Sequence, residues 1–317
     1  MKILSRKNIG IFVILLLLVI GVYIGFFQKN NTTLFPYGEE GSSYVENFFN
    51  TIVGGKDLTF VLFGIPGEQY NGGMLADSVI AIRLNEENRT IDMVSIPRDL
   101  WVWTGGEQFK LNEVFVREHV DEVIDEIADI TQFDIDGYVV LSLSFVSDVI
   151  DSLGGILVTL DEPIVDSVSG FSLASGEHLL GGDDVLWLIR NRFHMQGDFF
   201  REHNQHAVIE GVFNRIKTLS DNEKQSLVKK FIFSRNDINI HISLSSLLKF
   251  IGSDVKHLSS YTIRGVVIDF STQLFETINV PYDIREYETQ TISALIPKEG
   301  LGNYSNIQEY IQEQLTK

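Results

Sequence analysis

Nothing constrains this chain more than the run from Ile9 to Phe27, which contains only apolar residues, glycine and Tyr23 and carries no charge. At about 1.5 Å per residue, a helix of that length just spans the roughly 30 Å hydrocarbon core of a bilayer. A buried helix of a globular domain would carry a polar face, and this run has none. Lys2, Arg6 and Lys7 stand immediately before it. Positive charge on that flank places the N-terminus in the cytoplasm and everything after Phe27 outside. The run exceeds the usual apolar core of a cleavable signal peptide, and no small-x-small cleavage pattern follows promptly, so it reads as an uncleaved anchor. The expected localisation is the cell membrane, single-pass, with a cytoplasmic tail at 1–8, a transmembrane helix at 9–27 and an extracytoplasmic domain.

The domain is acidic. With 43 acidic against 25 basic residues and a formal net charge of -18, its long-range field repels polyanions, so nucleic acid is excluded as a partner. An anionic ligand must be held by a local cluster of cations. The chain has no cysteine, which removes disulfides, thiol catalysis and thiolate metal sites. Residues 28–56, rich in Asn, Thr, Gly and Ser, read as a linker. The core is expected at 57–220, with 221–317 as a C-terminal part packed on the same domain.

Within the core, Leu58–Gly64 is a short apolar run ending in glycine, which predicts a buried strand. Ser78–Leu84 and Thr90–Ile96, joined by the polar segment Asn85–Arg89, predict a hairpin. From Glu113 to Ile130 the period becomes helical, with Val116, Val120, Val123, Ile124 and Ile127 on one face. Tyr138–Leu143 returns to strand. Ser144 is placed to cap a helix that Gly154 and Gly155 terminate, and Ile156–Leu160 is the next strand. Further helices are predicted from Gly182 or Asp183 to about Asn191, from Arg201 to Leu219, and over Ile307–Leu315. This alternation defines an α/β domain with a central mixed sheet.

Five basic side chains stand out: Arg98, Lys110, Arg190, Arg192 and Arg201. Guanidinium groups bind phosphate bidentately and stay charged at any working pH, so clustered arginines suit a ligand such as a pyrophosphate. Pairing of each arginine with a nearby acid, such as Asp183, Asp198 or Glu202, is the plainer alternative. Asp77 precedes one hairpin strand and Asp99 follows the other. Ends of neighbouring strands lie close together, so the two carboxylates are placed to share a hard divalent cation, magnesium being completed by water and phosphate. Equally, each can be an ordinary turn aspartate. His203 and His206, three apart with His194 nearby, form a weak metal pattern without a third ligand at a recognisable spacing. There is no G-x-S-x-G elbow, P-loop or G-x-G-x-x-G.

Read together, ADSVIAIRL, VSIPRDLWV, KLNEVF, GYVVLSLSFVSDVIDSLGGILV, LLGGDDVLWLIRNRF and QGDFFREHNQ, in that order from Ala76 to Gln205, resemble the LytR-CpsA-Psr family of cell-envelope proteins. The closing LIPKEGLGNYSNIQEYIQEQL is similar to the end of many members. The resemblance implies an α-β-α sandwich around the sheet with a hydrophobic channel for a polyprenyl chain. It implies transfer of a glycopolymer from a polyprenyl-pyrophosphate carrier to peptidoglycan or another wall acceptor. By the same resemblance Asp77 and Asp99 hold Mg2+, with Arg98 beside them as the third catalytic residue, and Arg98, Lys110, Arg190, Arg192, Arg201 and Gln205 grip the pyrophosphate. The sequence departs from the family pattern at Phe200, where a glycine is usual, at Asn204 before Gln205, and at Arg117 and Glu118, where a double glycine is common.

The chemistry so implied is phosphoryl transfer, in which positioning and charge neutralisation do most of the catalysis. Two other functions would use the same residues: hydrolysis of the pyrophosphate, or lipid binding by a non-catalytic regulator of the envelope. The charge asymmetry around the apolar run makes a prediction of its own. Protease added to intact cells digests the domain and spares a cytoplasmic control; a domain that resists as well as that control does would reverse the orientation.

Overall fold

The computed structural model describes residues 57–316 except 68–71, 86, 105, 167–169, 191–197, 221–222, 224–226, 228–237, 243–260, 269–271 and 286–287. The apolar run at 9–27, its flanking tail and linker, Arg192 and His194 lie outside the described residues. No helix among the described residues is long and apolar enough to cross a membrane. In chain order the described elements are β1 (Leu58–Ile65), β2 (Ser78–Asn85), β3 (Thr90–Ser95), β4 (Trp101–Thr104), β5 (Glu107–Lys110), α1 (Val114–Arg117) and α2 (Val120–Thr131). There follow β6 (Gly137–Ser142), α3 (Leu143–Ser152), β7 (Ile156–Leu160), β8 (Ile164–Val165), β9 (Ser172–Leu173), β10 (Gly176–Leu180), α4 (Gly182–Arg190) and α5 (Asp198–Thr218). The chain closes with β11 (Ile238–Ile242), β12 (Thr262–Val267), β13 (Phe275–Arg285), β14 (Glu288–Pro297) and α6 (Ser305–Thr316).

The central sheet has six strands in the order β11-β6-β1-β2-β3-β12. It is mixed: β1–β2 and β2–β3 are antiparallel, as is β11–β6, while β1–β6 and β3–β12 run parallel. Alternation along the inner strands buries both faces. Leu58, Phe60, Ile80, Ile82 and Leu84 point to one face and pack with Phe145 and Ile150 of α3, Val185 and Leu188 of α4, and Val208, Phe213 and Ile216 of α5. Val61, Phe63, Val79 and Ala81 point to the other and pack with Val123, Ile127 and Ile130 of α2 and Ile307, Ile311 and Leu315 of α6. Each such side chain contributes about 1.5–3 kcal/mol when fully buried, so the two-faced core is where most of the stability arises.

The predicted hairpin is present as β2 and β3, with Ile80 opposite Ser95 and Asn85 opposite Thr90. Two local expectations differ from the structure. The helix predicted over Glu113–Ile130 is interrupted: a 3-10 turn at Leu111–Glu113 and the short α1 come first, and Glu118 then adopts a left-handed conformation with φ +60° before α2 begins. That break rotates the two segments out of phase, so Val116 is 57% exposed although the period put it on the apolar face. The cap of α3 is Ser142, not Ser144. Ser142 has the extended backbone an N-cap requires and its Oγ accepts the Phe145 N–H at 3.2 Å, while Ser144 Oγ lies 2.9 Å from Ser142 Oγ. Gly154 ends the helix as expected, in a left-handed conformation at φ +73°.

One buried charge ties the far strands to the hairpin. Asp92 on β3 is completely buried; its Oδ2 accepts from Arg83 Nη2 of β2 at 2.7 Å, and its Oδ1 lies 2.6 Å from Arg264 Nη2 of β12. Arg83 also lies over the Phe133 ring at 4.2 Å. Removing the anion takes the carboxylate from two partly solvated guanidinium groups, of which Arg264 keeps the Leu315 carbonyl and Thr90 Oγ1. Asp92→Ala is therefore expected to lower unfolding free energy by about 3 kcal/mol. Urea denaturation checks this, and a loss under about 1 kcal/mol would show that the three charges are already satisfied by water.

Candidate functional site

On the face covered by α3 and α5, the helices stand off the sheet and leave a cavity of about 620 Å³. Its walls are Phe60 and Leu62 of β1, Ile80, Ile82 and Leu84 of β2, Val146 and Val149 of α3, and Val208, Ile209 and Val212 of α5. Ser78 and Leu84 both line it, so along β2 it extends about 20 Å. One end is polar. There the lining residues are Asp77, Ser78, Ser142, Arg190, Arg201 and Gln205.

These polar residues converge because three element ends meet. Gly64 near the end of β1 pairs with Ser78 at the start of β2. Arg190 is the last residue of α4, and Arg201 and Gln205, four apart on α5, present one helical face. Arg201 is 2% exposed and its Nη2 donates to the backbone carbonyl of Asp77 at 2.9 Å. Ser78 Oγ donates to Gln205 Oε1 at 2.8 Å, and Gln205 Nε2 donates to the Ile189 carbonyl at 3.4 Å. The amide of Gln205, expected at the pyrophosphate, is bonded to β2 and α4.

Beside Asp77 lies a line of alternating charge. Arg98 Nη1 donates to Asp77 Oδ1, Arg98 Nε is 3.8 Å from Asp99 Oδ2, and Lys110 Nζ donates to Asp99 Oδ1 at 2.7 Å. The backbone holds this line in place: Asn112 N–H donates to the Arg98 carbonyl at 3.0 Å, and Ala76 N–H donates to the Asn112 carbonyl at 2.8 Å. So Asp77, Arg98, Asp99, Lys110, Arg190, Arg201 and Gln205 belong to one region, as the sequence reading grouped them. Ser78 was not among the candidates; a serine after an aspartate carries no signal until its partner on α5 is known.

The two carboxylates, 39% and 32% exposed, flank one cationic group. Among the described residues no group of three or more His, Cys, Asp or Glu is placed to hold a metal. A donor set of two carboxylates fits Mg2+, which binds through one or two carboxylates and completes its shell with water and phosphate oxygens, and does not fit zinc or a calcium cage.

The LytR_cpsA_psr family model matches residues 30–293, and the chain belongs to that family. Among its curated relatives, the polyisoprenyl-teichoic acid–peptidoglycan teichoic acid transferase TagU of Bacillus licheniformis is 29% identical over 193 residues, 60% of this chain and 61% of TagU. The chain thus aligns with only about three fifths of that relative. TagV of Bacillus subtilis, which carries the same transferase name, is 27% identical over 83% of this chain and 71% of its own length. The crystal structure of B. subtilis TagV superposes with a TM-score of 0.56 and 22% identity, covering 83% of this chain and 98% of that one, and shares the fold.

The histidines have a different role from the metal pair weighed above. His203 is exposed, whereas His206 is buried against β3 and β12, with Nε2 2.7 Å from Ser95 Oγ. A Cβ at Gly265 would sit 2.6 Å from its Nδ1, so glycine there makes room for the ring. Burial, and secondarily the charge of His203, push the His206 pKa down to about 3. The unfolded chain takes up a proton near pH 6.5 and the folded chain does not. The stability is complete above pH 6.5 and is lost as pH falls from there towards 3, by about 2 kcal/mol at pH 5. His206→Gln is expected to flatten the fall in unfolding free energy between pH 7 and pH 5; an unchanged slope in urea titrations would assign it to other groups.

Proposed function

We propose that this chain is a membrane-anchored, magnesium-dependent phosphotransferase that moves a glycopolymer from a polyprenyl-pyrophosphate carrier to peptidoglycan. The observation that carries the reading is the cavity itself: about 20 Å of apolar wall that ends at Arg190 and Arg201 in a chain of net charge -18. An apolar chain joined to an anionic head is the ligand that such a site fits. The transferase names of TagU and TagV support the same reaction.

The cavity walls take the prenyl chain, excluding water from it. Arg190 and Arg201 receive the diphosphate through charge-assisted hydrogen bonds, with Arg192 expected to join them. Arg201 is fixed in advance by the Asp77 carbonyl, so little reorganisation is needed as charge develops. In the transfer a sugar hydroxyl of the acceptor loses its proton and bonds to the phosphorus nearest the glycopolymer. The bond from that phosphorus to the bridging oxygen breaks, and polyprenyl phosphate leaves. Asp77 and Asp99 would hold the metal, which when bound supplies charge neutralisation on the diphosphate. Arg98 and Lys110, bonded to these carboxylates, keep them oriented and add positive charge at the same edge. An N-terminal anchor keeps the polar mouth at the membrane that holds the lipid carrier.

The test is transfer of labelled glycopolymer to peptidoglycan as magnesium is varied. Asp77→Asn and Asp99→Asn keep size and remove charge; each is expected to fold normally and to lose most activity, at least about a hundredfold. Because both act through one shared ion, the double variant should lose little more than either single. Full activity in either single variant, or activity unaffected by exhaustive chelation, overturns the metal reading and favours a non-catalytic lipid-binding module.

A further inference from the structure

We infer that Ser78 is a positioning residue for the phosphate end of the site, acting through Gln205 on the helix end that carries Arg190. The inference rests on the function proposed above and names a residue that it does not use.

The amide of Gln205 can be placed either way round, and its surroundings decide which. Ser78 Oγ donates to Gln205 Oε1 at 2.8 Å, which anchors that end of the amide against β2, with Nε2 towards α4. There Nε2 meets the carbonyl of Ile189 at 3.4 Å. That carbonyl belongs to the last turn of α4, whose carbonyls have no partner within the helix. Gln205 thus caps the helix one residue before Arg190. Reversing the amide would set its oxygen against the Ile189 carbonyl, which can only accept, so that carbonyl decides the orientation while the Ser78 hydroxyl holds the oxygen end. The bond from Gln205 to the Ile189 carbonyl would be lost, and of the two side-chain bonds from α5 to the last turn of α4 the one from Asn204 Nδ2 to the Leu188 carbonyl at 3.4 Å would remain.

A second bond runs parallel to the first. Arg201 Nη2 donates to the carbonyl of Asp77, which precedes Ser78 at the start of β2, so α5 is joined there from two positions four apart on one helical face. Ser78 has room for this duty because its strand partner is Gly64: a Cβ at 64 would lie 3.1 Å from Ser78 Cβ. Threonine keeps the hydroxyl and alanine removes it, which separates the hydrogen bond from packing.

The experiment measures binding of geranylgeranyl pyrophosphate and of uncharged geranylgeraniol to the full chain in detergent, for wild type, Ser78→Ala, Ser78→Thr and Arg190→Ala, with thermal melts confirming folding. Ser78→Ala is expected to weaken the pyrophosphate about tenfold, the scale of one lost hydrogen bond, and to leave the alcohol unchanged. Ser78→Thr should restore binding to within about twofold of wild type. Wild-type affinity in Ser78→Ala, equal loss of both probes, or failure of threonine to rescue would overturn the role of Ser78 while leaving the site itself in place if Arg190→Ala still weakens the pyrophosphate. If wild type does not bind the pyrophosphate more tightly than the alcohol, the reading of the site falls and the role of Ser78 with it.

Discussion

The rest of the molecule depends on the burial of both faces of the β1–β2–β3 sheet. Every second side chain along these strands goes to one layer of helices and the intervening ones go to the other, so neither layer can be omitted without exposing a continuous apolar surface. The layers are not equivalent. Helices α2 and α6 close directly over Val61, Phe63 and Val79, whereas α3 and α5 bridge a gap over Phe60, Leu62 and Ile80. The cavity is thus an unfilled part of one core layer, and its apolar character follows from strand alternation.

Helix α5 is the element through which the cavity acquires chemistry. Its apolar residues form one wall, and Arg201 and Gln205 reach the start of β2 at the polar end. One helix therefore sets both the width of the apolar space and the positions of the groups at its mouth. Another of its buried polar residues, His206, meets Ser95 of β3 and anchors the helix without taking part in that mouth.

The charge distribution has the same economy. An overall charge of -18 would repel any phosphate, and the cations at the mouth are set among few acids, Asp77 and Asp99, each of which is bonded to a cation. Local field therefore opposes global field at one place. Short range suffices for this, because the site is partly withdrawn from water and screening there is weak.

Much of this was legible in the sequence. The hairpin from Ser78 to Ser95, the amphipathic α2, α6 and the glycine stop after α3 follow from periodicity and turn chemistry, which are local. The chain's membership of its family and the grouping of Asp77, Arg98, Asp99, Lys110, Arg190, Arg201 and Gln205 rest on short motifs that stay recognisable because chemistry restricts the residue types at each position. What the linear pattern did not contain was non-local. The left-handed Glu118 breaks a helical period without any residue in the pattern requiring it, and the order of strands, with β12 beside β3 and β11 beside β6, joins segments far apart along the chain, such as Ile238 with Leu141 and Thr262 with Thr90. Likewise, Ser78 and Gln205 are 127 residues apart, and only the seating of α5 across β2 brings hydroxyl to amide. The sequence by itself determined most of the strand and helix segments and which residues fall in the family's motifs, since those depend on neighbours along the chain. Tertiary structure alone decided where the helices stand off the sheet and which polar atoms are already occupied, because both depend on packing between distant elements.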